Sequence, residues 1–299
     1  MKSGGRLIMH DNLDQAAGLR NINKIKPIRV LAIISGKGGV GKTNIAVNLG
    51  VALSQLGKNV ALFDADIGLA NVDTLLGIEP EFNISHVLKG QKALNDIIEV
   101  GPSNLKVIPA SSGVQYIPEL NNSEHALIIK AFDECRDDLD VLIVDTATGI
   151  SNSVVSFIKA CQEVVVVISD EPTALVDAYA FIKLLNCEHE LFKFHVIANM
   201  LESVDDGQIL FKKLSKMTHQ YLDVALNYLG AVPFDDYLRK AVKQQAAVVD
   251  IYPQSKSAQA FRRIGQKISE LPDCSFTAAG HVEFFVERML EYEIQESVA

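Results

Sequence analysis

Seven short apolar runs punctuate the chain: Val30–Ser35, Val60–Asp64, Leu105–Pro109, Val141–Asp145, Val164–Ser169, Phe194–Asn199 and Tyr228–Val232. Several are continuously apolar (VLAII, VLIVD, VVVVIS) and do not alternate, which is the pattern of strands covered on both faces. Longer stretches between them read as helices: Lys42–Leu56, Ser151–Ala160, Thr173–Leu185 and Gln208–Leu226. This alternation predicts an α/β fold, a doubly wound, mostly parallel sheet flanked by helices. No internal repeat or low-complexity segment interrupts it.

Two segments stand outside the pattern. Residues 1–27 form a polar arm with Gly, Asn and a closing Pro27, expected to be mobile. After a predicted helix over Pro253–Leu271, Pro272–Gly280 reads as a break and His281–Gln295 as a last helix. On a wheel of that helix, Val282, Phe285, Val286, Met289, Leu290 and Tyr292 share one side, opposite Glu287, Arg288 and Glu291. The expected organisation is therefore an arm (1–27), one domain (28–271), and a linker with an amphipathic helix (272–299).

Composition adds a charge argument. With 299 residues, 48% hydrophobic and 22% charged, the chain suits one large globular α/β domain. Lys and Arg number 28 against 37 Asp and Glu, a net charge of −9. Residues 1–29 hold six basic side chains and two acidic ones, so they carry +4 and leave −13 on the rest. A body that acidic argues against broad DNA binding, which depends on neutralising phosphates. No apolar run reaches the roughly 18–20 residues of a membrane span, and the N-terminus lacks the apolar stretch of a secretory signal. Cys135, Cys161, Cys187 and Cys274 are far apart with no C-x-x-C pair, and read as free thiols in a reducing cytoplasm.

The chemistry is concentrated in Gly36-Lys37-Gly38-Gly39-Val40-Gly41-Lys42-Thr43, which satisfies G-x-x-x-x-G-K-[ST] between a predicted strand and a predicted helix. Glycines let successive backbone N–H groups turn towards phosphate oxygens, and the helix N-terminus adds a favourable dipole. Lys42 supplies a point charge for β- and γ-phosphates, and the Thr43 hydroxyl can bind Mg²⁺. The segment implies ATP or ADP with Mg²⁺ as ligands.

Lys37 is not needed for that cradle. The run KGGVGKT resembles the deviant Walker A motif of the MinD/ParA family, P-loop ATPases that work as ATP-sandwiched homodimers. The resemblance covers roughly residues 29–270. It implies that Lys37 reaches the partner subunit's nucleotide. In LFDADIGLANVD it implies that Asp66 positions the attacking water and that Asp64 supports the metal shell. VLIVDTATGIS resembles the Walker B strand and switch, with Asp145 holding Mg²⁺ through water; the family's DTxAG is here Asp145-Thr146-Ala147-Thr148-Gly149, which departs from the pattern after Asp145. Asn199 in HVIANM and Pro233 and Asp235 in LGAVPFD resemble base-recognition segments, with an ordinary structural turn as the other reading of Asn199 and Asp235.

The ends select a branch. Asp14-Gln15-Ala16-Ala17-Gly18-Leu19-Arg20 is similar to the DQAxxLR motif of the flagellar-number regulator branch, FlhG (FleN), and DADIGLANVDTLLGI and EPTALVDAYAFIKLL resemble the same branch. The resemblance implies that Asp14, Gln15, Ala16, Leu19 and Arg20 dock on a GTPase of the signal-recognition-particle type (FlhF) and stimulate it. In some members a flagellar transcriptional activator is restrained as well. MinD relatives insert a C-terminal amphipathic helix into the membrane surface. Here 281–299 carries five Glu against Arg288, a net −4 that anionic lipid repels, so insertion and docking on protein both stay open from sequence. Rival readings are a MinD-like division-site regulator, a ParA-like DNA-partitioning ATPase, an electron-transfer ATPase with a shared iron–sulfur cluster, and a scaffold with a structural nucleotide.

Overall fold

The computed structural model describes residues 28–66, 71–109 and 139–272. The arm, the last predicted helix, Cys135 and Cys274 lie outside the described residues. Within them the strands are β1 (Arg29–Ile34), β2 (Val60–Ala65), β3 (Glu99–Val100), β4 (Lys106–Ile108), β5 (Val141–Thr146), β6 (Glu163–Ser169), β7 (Lys193–Leu201) and β8 (Ala225–Pro233). They form one sheet in the order β3-β4-β2-β5-β1-β6-β7-β8. Every pairing is parallel except β3 with β4. The doubly wound sheet expected from the sequence is thus the observed one.

The helices are α1 (Lys42–Gln55), α2 (Val72–Leu76), α3 (Ile84–Leu88), α4 (Leu94–Ile97), α5 (Asn152–Ala160), α6 (Pro172–His189), α7 (Val204–Tyr221), α8 (Asp236–Lys243), α9 (Val248–Ile251) and α10 (Lys256–Ser269). Successive residues of β1 feed opposite layers, as the pleat requires. Val30, Ala32 and Ile34 pack with Phe157, Phe181 and Leu214 of α5, α6 and α7. Leu31 and Ile33 pack with Ile45, Leu49 and Leu53 of α1 and Phe261 of α10. Burying each large aliphatic or aromatic side chain contributes about 1.5–3 kcal/mol, so a strand wetted on either face would forfeit that gain.

One predicted helix is displaced. The expected Gln208–Leu226 is α7 at Val204–Tyr221, because Ser203 and Asp206 form a reciprocal cap (Asp206 N–H to Ser203 Oγ, 3.3 Å; Ser203 N–H to Asp206 Oδ2, 2.9 Å). At the other end Leu222 turns extended (φ −130°, ψ 148°), and Ala225 N–H donates to Phe192 O at 2.7 Å, opening β8 beside β7. The helix predicted over Pro253–Leu271 is trimmed to α10 because Ser255 caps it through Ala258 N–H.

Two features matter for function. Strand order reverses at β1, which lies between β5 and β6, so the carboxyl edge beside β1 is the crevice where such sheets bind ligands. At the opposite edge the Arg29 guanidinium pairs with Glu163 and donates to the carbonyls of Leu271 (2.8 Å) and Pro272 (3.1 Å). His195 Nε2 lies 3.3 Å from the second oxygen of Glu163, so β1, β6, β7 and the end of α10 are tied together there.

Candidate nucleotide-binding site

The glycine-rich loop spans the crevice from β1 to α1. Its glycines are steric requirements at two places. A Cβ at Gly36 would lie 2.5 Å from the backbone oxygen of Asp177 in α6. Gly41 has φ +84° and a Cβ there would meet Asn199 Nδ2 at 2.5 Å. Gly41 is the N-cap of α1 and offers no side-chain acceptor, nor does the first turn hold an acidic residue. The helix therefore presents its positive pole and unpaired N–H groups, as anion sites at helix starts do.

Lys42 is only 6% exposed, and its Nζ sits 2.8 Å from Asp145 Oδ1. Asp145 is fully buried, and burial holds its pKa above the usual carboxylate value, opposed only in part by the Lys42 charge and by hydrogen bonds from Lys42 and Thr43. Among the described residues Asp145 Oδ2 has no hydrogen-bond partner. A buried carboxylate oxygen left open beside a threonine hydroxyl fits a hard divalent cation such as Mg²⁺, which takes one or two protein oxygens and completes its shell with phosphate and water. Thr43 and Asp145 are the residues that would hold it.

Asp64 stands in register with Asp145 on the neighbouring strand. Burial pushes its carboxyl up to about 7 and the Asp145 charge adds to this, against three backbone N–H groups that lower it. Those donors are Asp66 (3.1 Å), Asn71 (3.1 Å) and Val72 (3.2 Å), so Asp64 anchors the start of α2. Asp66 follows the end of β2 and lines the cavity in front of the loop.

That cavity measures about 690 Å³. It brings together Gly39, Val40, Gly41, Lys42, Thr43 and Asp66, with Thr148 from the stretch after β5. Lys37, Asn199, Pro233 and Asp235 are not among its lining residues. Lys37 pairs with Glu171 at the N-cap of α6 and donates to Thr173 Oγ1 at 3.0 Å. Asn199 is buried and donates Nδ2 to Val40 O at 2.8 Å, which leaves its carboxamide oxygen as an acceptor. Pro233 ends β8 opposite Leu201. Asp235 caps α8 through Tyr237 N–H (2.9 Å) and accepts from Ser257 N–H (2.9 Å) and Oγ (2.8 Å), bonding α8 to the start of α10. Burial alone would raise its pKa, but these hydrogen bonds hold it below the ordinary carboxylate value.

The cavity also includes residues that the sequence reading does not single out: Met200, Val242, Lys243 and Gln245. Met200 directly follows Asn199, a positional hint; nothing in the residue pattern marks the other three. Cys161 is a buried free thiol that burial pushes well above its ordinary range, with Sγ donating to Phe157 O at 3.1 Å; Cys187 is free and exposed.

A glycine loop at the switch point of a parallel sheet, ahead of a helix whose first lysine meets a buried aspartate, defines a P-loop nucleoside-triphosphatase domain. The family described as ParA, NUBPL iron-transfer P-loop NTPase, matches residues 26–269, and the chain belongs to it. It is 48% identical to the antiactivator FleN of Pseudomonas aeruginosa over 274 residues, covering 92% of this chain and 98% of that protein. It is 34% identical to the flagellum site-determining protein YlxH of Helicobacter pylori, over 93% of this chain and 99% of that one. These relatives support the FlhG (FleN) branch. Among solved structures, the septum site-determining protein MinD of Pyrococcus horikoshii, complexed with Mg-ADP, shares the fold with a TM-score of 0.66 at 24% identity, over 82% of this chain and 97% of that one.

Proposed function

We propose that this chain is an ATP-dependent dimerising switch ATPase that regulates flagellar number and placement. The observation that carries the catalytic half is the buried Lys42–Asp145 pair behind an open phosphate cradle. Lys42 is held in position by Asp145 and exchanges this partner for β- and γ-phosphate oxygens when ATP enters. Its departure frees both oxygens of Asp145, which together with the Thr43 hydroxyl would hold a magnesium ion. Magnesium held there would supply positive charge to offset that of the phosphates. Asp66 orients the water that attacks the γ-phosphorus, giving ADP and phosphate. Lys37 leaves Glu171 to reach the nucleotide of a second copy, so the homodimer forms with ATP and resets after slow hydrolysis.

The regulatory half is supported by the identity to FleN and YlxH over more than nine-tenths of the chain. In this reading the domain is 28–271, and the 1–27 arm, through Asp14, Gln15, Ala16, Leu19 and Arg20, engages an FlhF-type GTPase and stimulates it. The ATP state also restrains a flagellar transcriptional activator. The protein works in the cytoplasm, and the 281–299 helix lies at the inner membrane face near a pole. The net charge of −9 favours this assignment over DNA partitioning. A buried Cys161 and the absence of any C-x-x-C pair in the sequence disfavour cluster transfer.

Phosphate release by wild-type protein and Asp66→Asn, with flagella counted in a deletion strain, tests both halves. Mg²⁺-dependent ATP turnover lost in Asp66→Asn, with excess flagella in the strain, is the expected result. Unchanged turnover in the variant overturns the catalytic half. Normal flagella with chromosome loss overturns the regulatory half in favour of partitioning.

A further inference from the structure

Lys37 is held at both ends, by bonds of different kinds. Its ammonium rests on the start of α6 against Glu171 and Thr173, both exposed to solvent. Its carbonyl is held from within: Ser35 Oγ donates to Lys37 O at 3.0 Å, and Ser35 is only 1% exposed. Ser35 is itself fixed. It directly follows β1, and its own carbonyl accepts from Gly149 N–H at 3.3 Å, in the stretch after β5. Between Ser35 and Lys37, Gly36 packs so closely on α6 that a Cβ there would lie 2.5 Å from the Asp177 oxygen. The turn that carries Lys37 is therefore wedged between α6 and the end of β5, while the charged tip of the lysine sits at the surface.

A hydroxyl has one proton to give. Although Ser35 lines the cavity, that proton is committed to Lys37 O, and the remaining lone pairs offer nothing to a phosphate, which only accepts. The side chain thus serves the main chain of the lysine and not the anion in front of it. A lysine stem is long and flexible, so the charge it delivers is aimed only as well as the backbone from which the stem starts. If that backbone had to be ordered at the moment of docking, the entropy would be subtracted from association. We infer that Ser35 is a positioning residue for dimerisation: its hydroxyl fixes the Lys37 main chain as a pivot, so that only the side chain swings from Glu171 to the nucleotide of a second copy. The inference rests on the reading of the chain as an ATP-sandwiched homodimer. In a two-fold dimer the pivot operates in both subunits, so its loss counts twice.

Light scattering of the full chain over a concentration series at saturating ATP gives the dimer dissociation constant of wild type, Ser35→Ala and Ser35→Cys. A thiol fills nearly the same space as the hydroxyl but is a weak donor, so Ser35→Cys keeps the packing and loses the bond. Both variants should weaken the dimer. One hydrogen bond per subunit corresponds to about 2- to 10-fold, which compounds over two copies to about 4- to 100-fold. ATP is also titrated into Lys37→Ala with and without Ser35→Ala, where the pivot has no arm to serve; the two affinities should agree within about two-fold. The inference is overturned if Ser35→Ala dimerises as wild type does. It is equally overturned if Ser35→Cys matches wild type while Ser35→Ala does not, which would make the effect one of packing. Weaker ATP binding on adding Ser35→Ala to Lys37→Ala overturns it too, by assigning the hydroxyl to the phosphate cradle. Wild-type protein that stays monomeric with ATP refutes the homodimer reading itself, whereas a wild-type dimer with unaffected Ser35 variants refutes only the pivot.

Discussion

Lys37 is paired within its own subunit, its ammonium held by Glu171 and hydrogen-bonded to Thr173 at 3.0 Å. Glu171 is 60% exposed, and an exposed pair contributes about 0–1 kcal/mol, so the lysine is restrained weakly and can be drawn away by a stronger anion. A phosphate offered by a second subunit is such an anion.

On size exclusion with ATP, Lys37→Ala should therefore elute as a monomer while binding ATP within about two-fold of wild type. Glu171→Ala should move the equilibrium towards dimer by at most about five-fold. A Lys37→Ala dimer with ATP contradicts the assigned reach of this lysine.

Lys42→Ala strands Asp145 as a buried charge without its partner. Breaking a buried pair from one side costs about 3–5 kcal/mol, so urea unfolding without nucleotide should show a loss of that order. Adding Asp145→Asn removes the stranded charge, and the double variant should recover much of the loss. If Lys42→Ala alone unfolds at the wild-type midpoint, the pair is not the stabilising contact described.

Asp64 makes nucleotide-free stability depend on pH in an unusual direction. Its folded value, about 7, lies above the ordinary 3.8. Between those limits the unfolded chain has released the proton that the folded protein retains, so this group's contribution is complete below pH 3.8 and is lost as pH rises through 7. Thermal unfolding at pH 5 and pH 8 should show a fall for wild type that Asp64→Asn lessens. An identical fall in both proteins would assign the effect elsewhere.

Asp235 carries three hydrogen bonds that join α8 to α10. Asp235→Ala should cost about 2–3 kcal/mol of stability, leaving Ser257 short of an acceptor, yet keep the wild-type preference for ATP over inosine triphosphate. A lost preference with stability intact would restore a direct role in base recognition.

The sheet and the cradle were legible because each depends on a short, local pattern. Continuous apolar runs such as VVVVIS require cover on both faces, and G-x-x-x-x-G-K-[ST] requires a strand before it and a helix after it. The errors arose where two periods compete. Leu222, Val224 and Leu226 read equally as the end of α7 or as an alternating run; the helix stops at Tyr221, and Leu226 pairs with Phe194 of β7. Gln245 was illegible for a different reason. Its place in the cavity depends on a left-handed backbone and on Thr74, 171 residues away, and no local pattern encodes either. The charges of Asp64 and Asp235 could be read, but not how fully backbone donors occupy them.

The Arg29 clamp has a geometric consequence. It bonds β1 to carbonyls 242 and 243 residues later, at the sheet edge opposite the phosphate cradle. The first and last described stretches of chain are therefore neighbours at one pole, and the nucleotide occupies the other. The two poles are separated by the length of a six-residue strand, roughly 20 Å. The central strand thus spans the domain, with the chemistry at one end and the bonds from Arg29 to Leu271 and Pro272 at the other.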